Sequence, residues 1–408
     1  MLSDEVIEKV IERLLVRIEE GNSYILKEIG ESIKKVGTLT PTQAHQLVQT
    51  LQFGGDYNRI TRKLAEITKL NVSDIYKIFE EVAKTDYQFA KQFYDYRNKG
   101  YIPWEENKPL QDQVKALAKI TANEYVNLTK TLAFATNVNG KIVYTDIAKM
   151  YQKVLDRAVL SVAQGKETFN DEMYRVIKEL AESGIRTVDY PSGRSMRLDS
   201  AVRMQMRGAI RNLHNETQKQ FGEEFKADGV EISVHLNPAP DHADAQGRQF
   251  SNEEYEKLQD GVDAIDYKGN VYNLDHDAKN GYRPISELNC YHYTFAIVLG
   301  VSEPEYTDRQ LQQIIDDNNK GFELDGKHYT MYEGSQLQRG LERKIREQKD
   351  IQILAKEADN KELIAKSQSN ITTLTNKYKE LSQASGLPTK ADRLRVSGYK
   401  RVAKSKLK

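Results

Sequence analysis

The 408-residue sequence contains a single cysteine, only nine prolines and no long hydrophobic run. Because Cys290 has no second cysteine to join, an intramolecular disulfide is excluded, and with it a disulfide-stapled secreted scaffold. The first ten residues contain neither a basic segment nor an apolar one, so no signal peptide is expected. The longest apolar stretch, 295–301, is far shorter than the roughly 18 residues that cross a bilayer, and no membrane span is predicted.

The sequence also lacks a net charge and the common catalytic signatures. Sixty basic residues balance sixty acidic ones, so binding to a polyanion must be local rather than driven by the whole surface. No glycine-rich phosphate loop, GxSxG elbow or HExxH pair is present. These absences argue against a nucleotide-driven motor and against the common hydrolases, so an enzyme is not predicted.

Helical periodicity covers most of the chain and predicts a mainly α protein with a small α+β domain. Short β-branched and aromatic runs appear only between 230 and 301, which is the least helical part. The predicted organisation is an N-terminal helical bundle (1–97), a second helical region (98–184), a central mixed domain (185–305), a long C-terminal helical extension (306–385) and a basic tail (386–408).

Local signals divide these regions further. Gly21 and Asn22 predict a helix stop, and the NVNG sequence at 137–140 predicts a turn between two helices. A further helix is predicted from about 197 to 227. From 335 to 385 the apolar residues slip out of a heptad register, which favours a long surface helix or a helical hairpin over a strict coiled coil.

Histidines concentrate around the only cysteine. His235, His242, Cys290 and His292 carry the side chains that zinc prefers, and the Cys-x-His spacing would point both of its side chains to one face of a strand. The residues either hold a structural or hydrolytic metal, or form a hydrogen-bonded packing cluster between two loops. Because the spacings match no compact zinc finger, the sequence favours packing and no cofactor, with zinc as the alternative.

Two basic features are candidates for partner or DNA contact. Arg203, Arg207 and Arg211 step by four residues and therefore share a helix face with few acids in register. Such a stripe suits DNA phosphates or acidic partner side chains, the alternative being a solvated face with intrahelical ion pairs. In the tail, Lys400, Arg401 and Lys404 are candidates for non-specific DNA contact, the alternative being a solubilising end.

Six blocks, taken in order, resemble the minor capsid protein 2 family of tailed phages, which is related to the Mu F-like head morphogenesis proteins. They span 190–221, 235–251, 287–295, 301–307, 332–346 and 384–396. The family's conserved pattern is matched at His242, Gln246, Gly247, Asn289, Cys290 and His292, whereas Asp241 and Ala245 stand where the family usually has Ser and Trp. The resemblance covers about 185–400, and 1–184 only in being helical.

The resemblance implies a low-copy virion protein that lies near the portal of the phage head. During assembly the protein would be in the host cytoplasm. Its implied partners are the portal protein, the major capsid protein and packaged double-stranded DNA, and its implied role is to assist head assembly and DNA packaging or delivery.

Two alternative functions stay open. One is a metal-dependent hydrolase of nucleic acid or cell wall, with the four metal candidates as ligands and Asp241 or Asp244 as general base. The other is a cytoplasmic helical scaffold that self-associates through 335–385.

Overall fold

A computed structural model describes residues 4–38, 62, 65–66, 72–96, 100–130, 132–138, 141–164, 166–189, 194–272, 284–285 and 290–402. The chain is 65% helical with a few small antiparallel sheets, which confirms the predicted fold class. The helices are α1 Asp4–Gly37, α2 Val72–Tyr96, α3 Lys108–Lys130, α4 Ile147–Gln164, α5 Lys166–Ser183, α6 Leu198–Phe225, α7 Asn252–Gln259, α8 Asp308–Lys320, α9 Met331–Glu357, α10 Lys361–Ser385 and α11 Ala391–Leu394. The strands are β1 Leu132–Val138, β2 Lys141–Asp146, β3 Arg186–Asp189, β4 Arg194–Arg197, β5 Gly229–Ile232, β6 Gln249–Ser251, β7 Ala264–Ile265, β8 Val271–Tyr272, β9 Thr294–Ile297, β10 Phe322–Leu324 and β11 Lys327–Tyr329.

Helix α1 is central to the main hydrophobic core and packs against α4, α6 and α9. Its apolar side chains recur at three- and four-residue steps, and Ile7, Ile11 and Ile25 are completely buried. The same core receives side chains from both helical regions, from the central mixed region and from α9 and α10. The five domain boundaries drawn from the sequence stay a prediction.

The predicted stop at Gly21 and Asn22 is wrong, because α1 runs unbroken through both residues. The Asn22 side chain donates a hydrogen bond to Asp350 on α9 at 3.2 Å, and its oxygen accepts one from the Ile185 backbone at 3.4 Å. The side-chain amide of Asn22 is therefore hydrogen-bonded to distant residues. It does not bond to the nearby backbone, where it would compete with the hydrogen bonds of the helix.

The second helical region is interrupted by a hairpin that the sequence analysis assigned to helix. Strands β1 and β2 pair antiparallel from Ala133 opposite Asp146 to Val138 opposite Lys141. Of the predicted turn at 137–140, Asn137 and Val138 belong to β1 and 139–140 lie outside the described residues; the elements on either side are strands rather than helices. Strand β1 occupies an inner position in the sheet order β2-β1-β3-β4, and this places Phe134 in the core with no exposure.

The central mixed region is a small antiparallel sheet in the order β6-β5-β9, joined to the helices through α6. Helix α6 confirms the helix predicted over about 197–227 and packs against β9. On α6 the fully buried His214 binds Asp86 of α2 at 2.8 Å and the carbonyl of Thr294 at 2.8 Å. A carbonyl only accepts, so the histidine Nε2 donates to it and ties α2, α6 and β9 together.

Residues 331–385 form a helical hairpin, one of the two arrangements predicted for 335–385. The predicted helical extension is interrupted before that by the antiparallel pair β10 and β11. Helices α9 and α10 pack along each other after the Thr330 capping box and the Asn360 N-cap. Within the described residues, this hairpin and the tail pack on the body of the protein. Helix α9 packs on α1 and α5, and Val396 and Tyr399 lie against the main core. No helix in the described ranges has the length and apolar character that a membrane crossing requires.

Candidate functional site

A cleft of about 590 Å³ opens where α1, α6, α9 and the segment before β9 meet. Its lining contains seven arginines and four acidic residues. The arginines are Arg203, Arg207, Arg211, Arg339, Arg343, Arg346 and Arg393. All three residues of the predicted α6 stripe therefore line one cavity, together with four further arginines from the C-terminal part of the chain.

The base of the cleft is an ion-pair network between α6 and α1. Arg203 contacts both Glu8 and Glu12, with the Glu12 carboxylate at 2.5 Å, and Arg207 and Arg393 both contact Glu8. Burial alone would raise the pKa of Glu8, but the three surrounding guanidinium groups lower it below the ordinary value. These arginines are thus held by α1 and form neither a solvated face nor a set of intrahelical pairs.

Tyr291 stands inside the cleft between two arginines. The guanidinium carbon of Arg207 lies 4.4 Å from the ring centroid, and that of Arg339 lies 5.3 Å from it. Arg339 and Arg343, one turn apart on α9, are exposed at the rim. The cleft therefore combines a rigid cationic base, an aromatic wall and an accessible cationic edge.

The predicted metal candidates lie directly behind Tyr291. The Sγ atom of Cys290 is 3.4 Å from Nδ1 of His242 and 3.3 Å from Nδ1 of His292. The His235 ring centroid lies 4.6 Å from that of His292. All four predicted residues therefore come together, and His242, Cys290 and His292 are buried, at 2%, 8% and 3% exposure. Arg211 joins this cluster to the cleft by donating to the Cys290 carbonyl at 3.1 Å.

Only part of the basic tail is exposed for contact with DNA or a partner. Arg393 is bound to Glu8, and the backbone of Val402 donates to Gln368 at 3.1 Å, so the chain is docked on the body up to that point. Lys400 and Arg401 are exposed, and their contact with DNA stays a prediction. Lys404 lies outside the described residues.

A family model described as phage minor capsid protein 2 matches residues 2–382 of the chain. The chain belongs to this family. No curated protein and no solved structure matches the chain. The match reaches almost to the first residue, so the N-terminal helices belong to the family region and not only the part from about 185 onward. As a phage minor capsid protein, the chain is a virion component of the phage head.

The sequence of this minor capsid protein did not reveal the acidic partners of the cleft arginines. Glu8 and Glu12 repeat the four-residue step of Arg203 and Arg207, which is the spacing that two facing helices need to form matched pairs. The spacing is present in the sequence, but nothing local tells which of the other helices faces α6. The sequence likewise shows Tyr291 only as the residue between Cys290 and His292, and it does not indicate that the ring lies between two arginines of the cleft.

Proposed function

We propose that this minor capsid protein is a low-copy head component that associates with the portal and assists head assembly and DNA packaging or delivery. Family membership supports the head location. The arginine-lined cleft is the observation that supports docking to another head protein, because recessed arginines beside an aromatic ring are typical of protein interfaces.

The shape of the cleft favours an acidic protein segment over duplex DNA as its ligand. A volume of about 590 Å³ lies within the range of pockets that enclose a few side chains. Arg203 and Arg207 at its base are only 16% and 14% exposed, so a ligand must enter the cavity to meet them. A carboxylate on a flexible segment can do so, whereas the phosphates of a duplex lie on a broad convex surface.

The base and the rim of the cleft have different parts in the proposed docking. Because Glu8 and Glu12 hold Arg203 and Arg207 in fixed positions, the base contributes a preorganised shape at little entropic cost on binding. The exposed Arg339 and Arg343 contribute the electrostatic attraction that orients an acidic partner. We propose an acidic segment of the portal protein as that partner.

We propose a structural rather than a catalytic role for the histidine–cysteine cluster. A catalytic metal keeps a coordination position open to substrate, and the three core members of this cluster are buried. The Asp241 carboxylate faces His242, with an oxygen 3.6 Å from Nε2, which suits a residue that orients the ring better than a general base. Asp244 is exposed at the surface.

Copy number in purified particles tests the location. Mass spectrometry of gradient-purified phage particles should find the protein at or below the number of portal subunits. Absence from particles that nevertheless contain the portal, with abundance in the lysate, would contradict a virion component near the portal. An amount close to that of the major capsid protein would contradict a low-copy role.

Charge reversal at the rim tests the docking surface. The Arg339→Glu/Arg343→Glu variant should bind purified portal about tenfold or more weakly, because it replaces attraction by repulsion. The matched control is Lys344→Glu/Lys377→Glu, which makes the same charge change at exposed positions outside the cleft lining. Equal portal binding by both variants would contradict the proposal. Loss of duplex-DNA binding in the cleft variant, with portal binding unchanged, would identify DNA as the ligand instead.

A further inference from the structure

The buried cluster behind Tyr291 has the geometry of a zinc site. We propose that His242, Cys290 and His292 bind a structural zinc ion through Nδ1, Sγ and Nδ1. The ligand atoms of the first three residues all lie within 4.8 Å of one another. This inference concerns the fold of the loops beside the cleft and does not depend on portal docking.

The sulfur–nitrogen distances fit a tetrahedral ion. Zinc bonds of about 2.3 Å to sulfur and about 2.05 Å to nitrogen place those two atoms about 3.6 Å apart at a tetrahedral angle. The distances from Cys290 to the two rings are 3.4 Å and 3.3 Å. The Cys-x-His pair was expected on a strand, but Cys290 and His292 lie in the irregular segment before β9, where Sγ and Nδ1 nevertheless approach each other.

The hydrogen bonds on the far side of His292 determine which ring nitrogen is available. The backbone N–H of His235 donates to Gln246 Oε1 at 2.8 Å, which identifies that atom as the oxygen of the amide. His292 Nε2 lies 3.2 Å from the same oxygen and therefore carries the proton it donates. In the neutral ring, Nδ1 then presents its lone pair to Cys290.

His242 has the same orientation. Its Nε2 lies 3.6 Å from a carboxylate oxygen of Asp241, and its Nδ1 faces Cys290 Sγ at 3.4 Å. A carboxylate favours the proton on the nearer nitrogen, as the outer partners of metal-bound histidines do. Two nitrogen lone pairs thus converge on one sulfur. Two imidazole nitrogens and one cysteine sulfur facing one another are a donor set that zinc prefers.

The ring positions of His242 and His292 also fit a single ion. Two imidazoles bound to one tetrahedral zinc have their centroids about 5 Å apart, and the His242 and His292 centroids are 5.4 Å apart. The His235 ring lies beside them, with its centroid 4.6 Å from that of His292, but among the described residues only His242, Cys290 and His292 have ligand atoms that all lie within 4.8 Å of one another. His235 follows β5, His242 lies in the loop after it, and Cys290 and His292 precede β9, so the ion would join the ends of two paired strands.

Metal content of the intact protein tests the site directly. Full-length protein purified without chelator should contain about one zinc per chain by plasma mass spectrometry. Cobalt substitution should produce the strong visible bands of a tetrahedral site and a thiolate-to-cobalt charge-transfer band, which Cys290→Ser should remove. Wild-type protein without stoichiometric zinc, and without these bands after cobalt addition, would overturn the proposal.

Variants and a chelator separate metal loss from misfolding. His242→Ala and His292→Ala should lose zinc, whereas His328→Ala, an exposed histidine on β11, should retain it. Chelation of the wild type should lower its melting temperature and expose Cys290 to a thiol reagent, without any substitution. Because no portal is present in these measurements, their outcome is independent of the proposed docking.

Discussion

Arg197 donates a hydrogen bond to Asp350 across 153 residues of sequence, with Nη2 3.0 Å from Oδ2. The side chains are 14% and 1% exposed, so the pair lies inside the junction between the start of α6 and the middle of α9. Asp199 completes the group beside Arg197 and Arg346. Burial would raise the pKa of Asp199, but the two arginines lower it to about 2.

We expect removal of one partner of this pair to be strongly destabilising. Asp350→Asn leaves the Arg197 charge buried with one carboxylate fewer, and such losses cost about 3–5 kcal/mol of unfolding free energy. The double variant Arg197→Met/Asp350→Leu should lower the free energy of unfolding by clearly less than the sum of its single variants Arg197→Met and Asp350→Leu. Urea unfolding in a double-mutant cycle measures the difference, and additive costs would contradict a coupled buried pair.

Glu19 should make stability depend on pH. Burial raises the pKa of this carboxyl to about 7, with Arg346 acting against the rise. Below about pH 4.5 the group is protonated in both the folded and the unfolded chain. Between that pH and 7 only the unfolded chain ionises, so the free energy of unfolding falls as pH rises, and the deficit persists above 7.

The Glu19→Gln variant tests this dependence because glutamine cannot ionise. It should match wild type near pH 4 and be more stable at pH 8, by on the order of 1–3 kcal/mol. Urea unfolding at the two pH values provides the measurement. Glu20→Gln, an exposed neighbour on α1, is the matched control and should change little at either pH. Parallel pH profiles for wild type and Glu19→Gln would contradict the burial effect.

Arg203 should matter for folding, unlike the rim arginines. Arg203→Glu places a third carboxylate against Glu8 and Glu12, and we expect a loss on the order of 2–4 kcal/mol of unfolding free energy. Adding Glu12→Arg should restore part of the loss. Thermal unfolding compares these variants with Arg343→Glu, for which little change is expected. A stable Arg203→Glu protein would show that the pairs to α1 contribute little.

Gly321 and Gly326 should respond differently to alanine although both have positive φ. A Cβ on Gly321, at φ 51°, would lie 1.9 Å from the Tyr329 carbonyl oxygen, whereas one on Gly326, at φ 72°, meets nothing within 4 Å. Gly326→Ala should therefore cost about 1–2 kcal/mol from backbone strain alone. Gly321→Ala should cost clearly more, because backbone atoms of β11 must move. Equal shifts of the urea midpoint would contradict this difference.

Features that depend on local sequence were determined by the sequence itself. The four-residue step of the α6 arginines and the absence of proline from 335–385, where Gly340 is the only glycine, each specify a local geometry, and each has that geometry in the structure. Helix periodicity and side-chain alternation arise within a few residues, so they can be read without a partner. The order of the family blocks likewise identified the family.

Features that depend on distant partners were decided only by the tertiary structure. Asn22 belongs to an unbroken helix because Asp350 and Ile185 bind its amide, and the segment at Leu132–Val138 is a strand because β2 and β3 pair with it. Glu8 and Arg203 are 195 residues apart, yet their contact converts a predicted partner surface into the rigid base of a cleft. Such contacts depend on which helices and strands face each other, and that choice is made by burial of the whole core rather than by local preference.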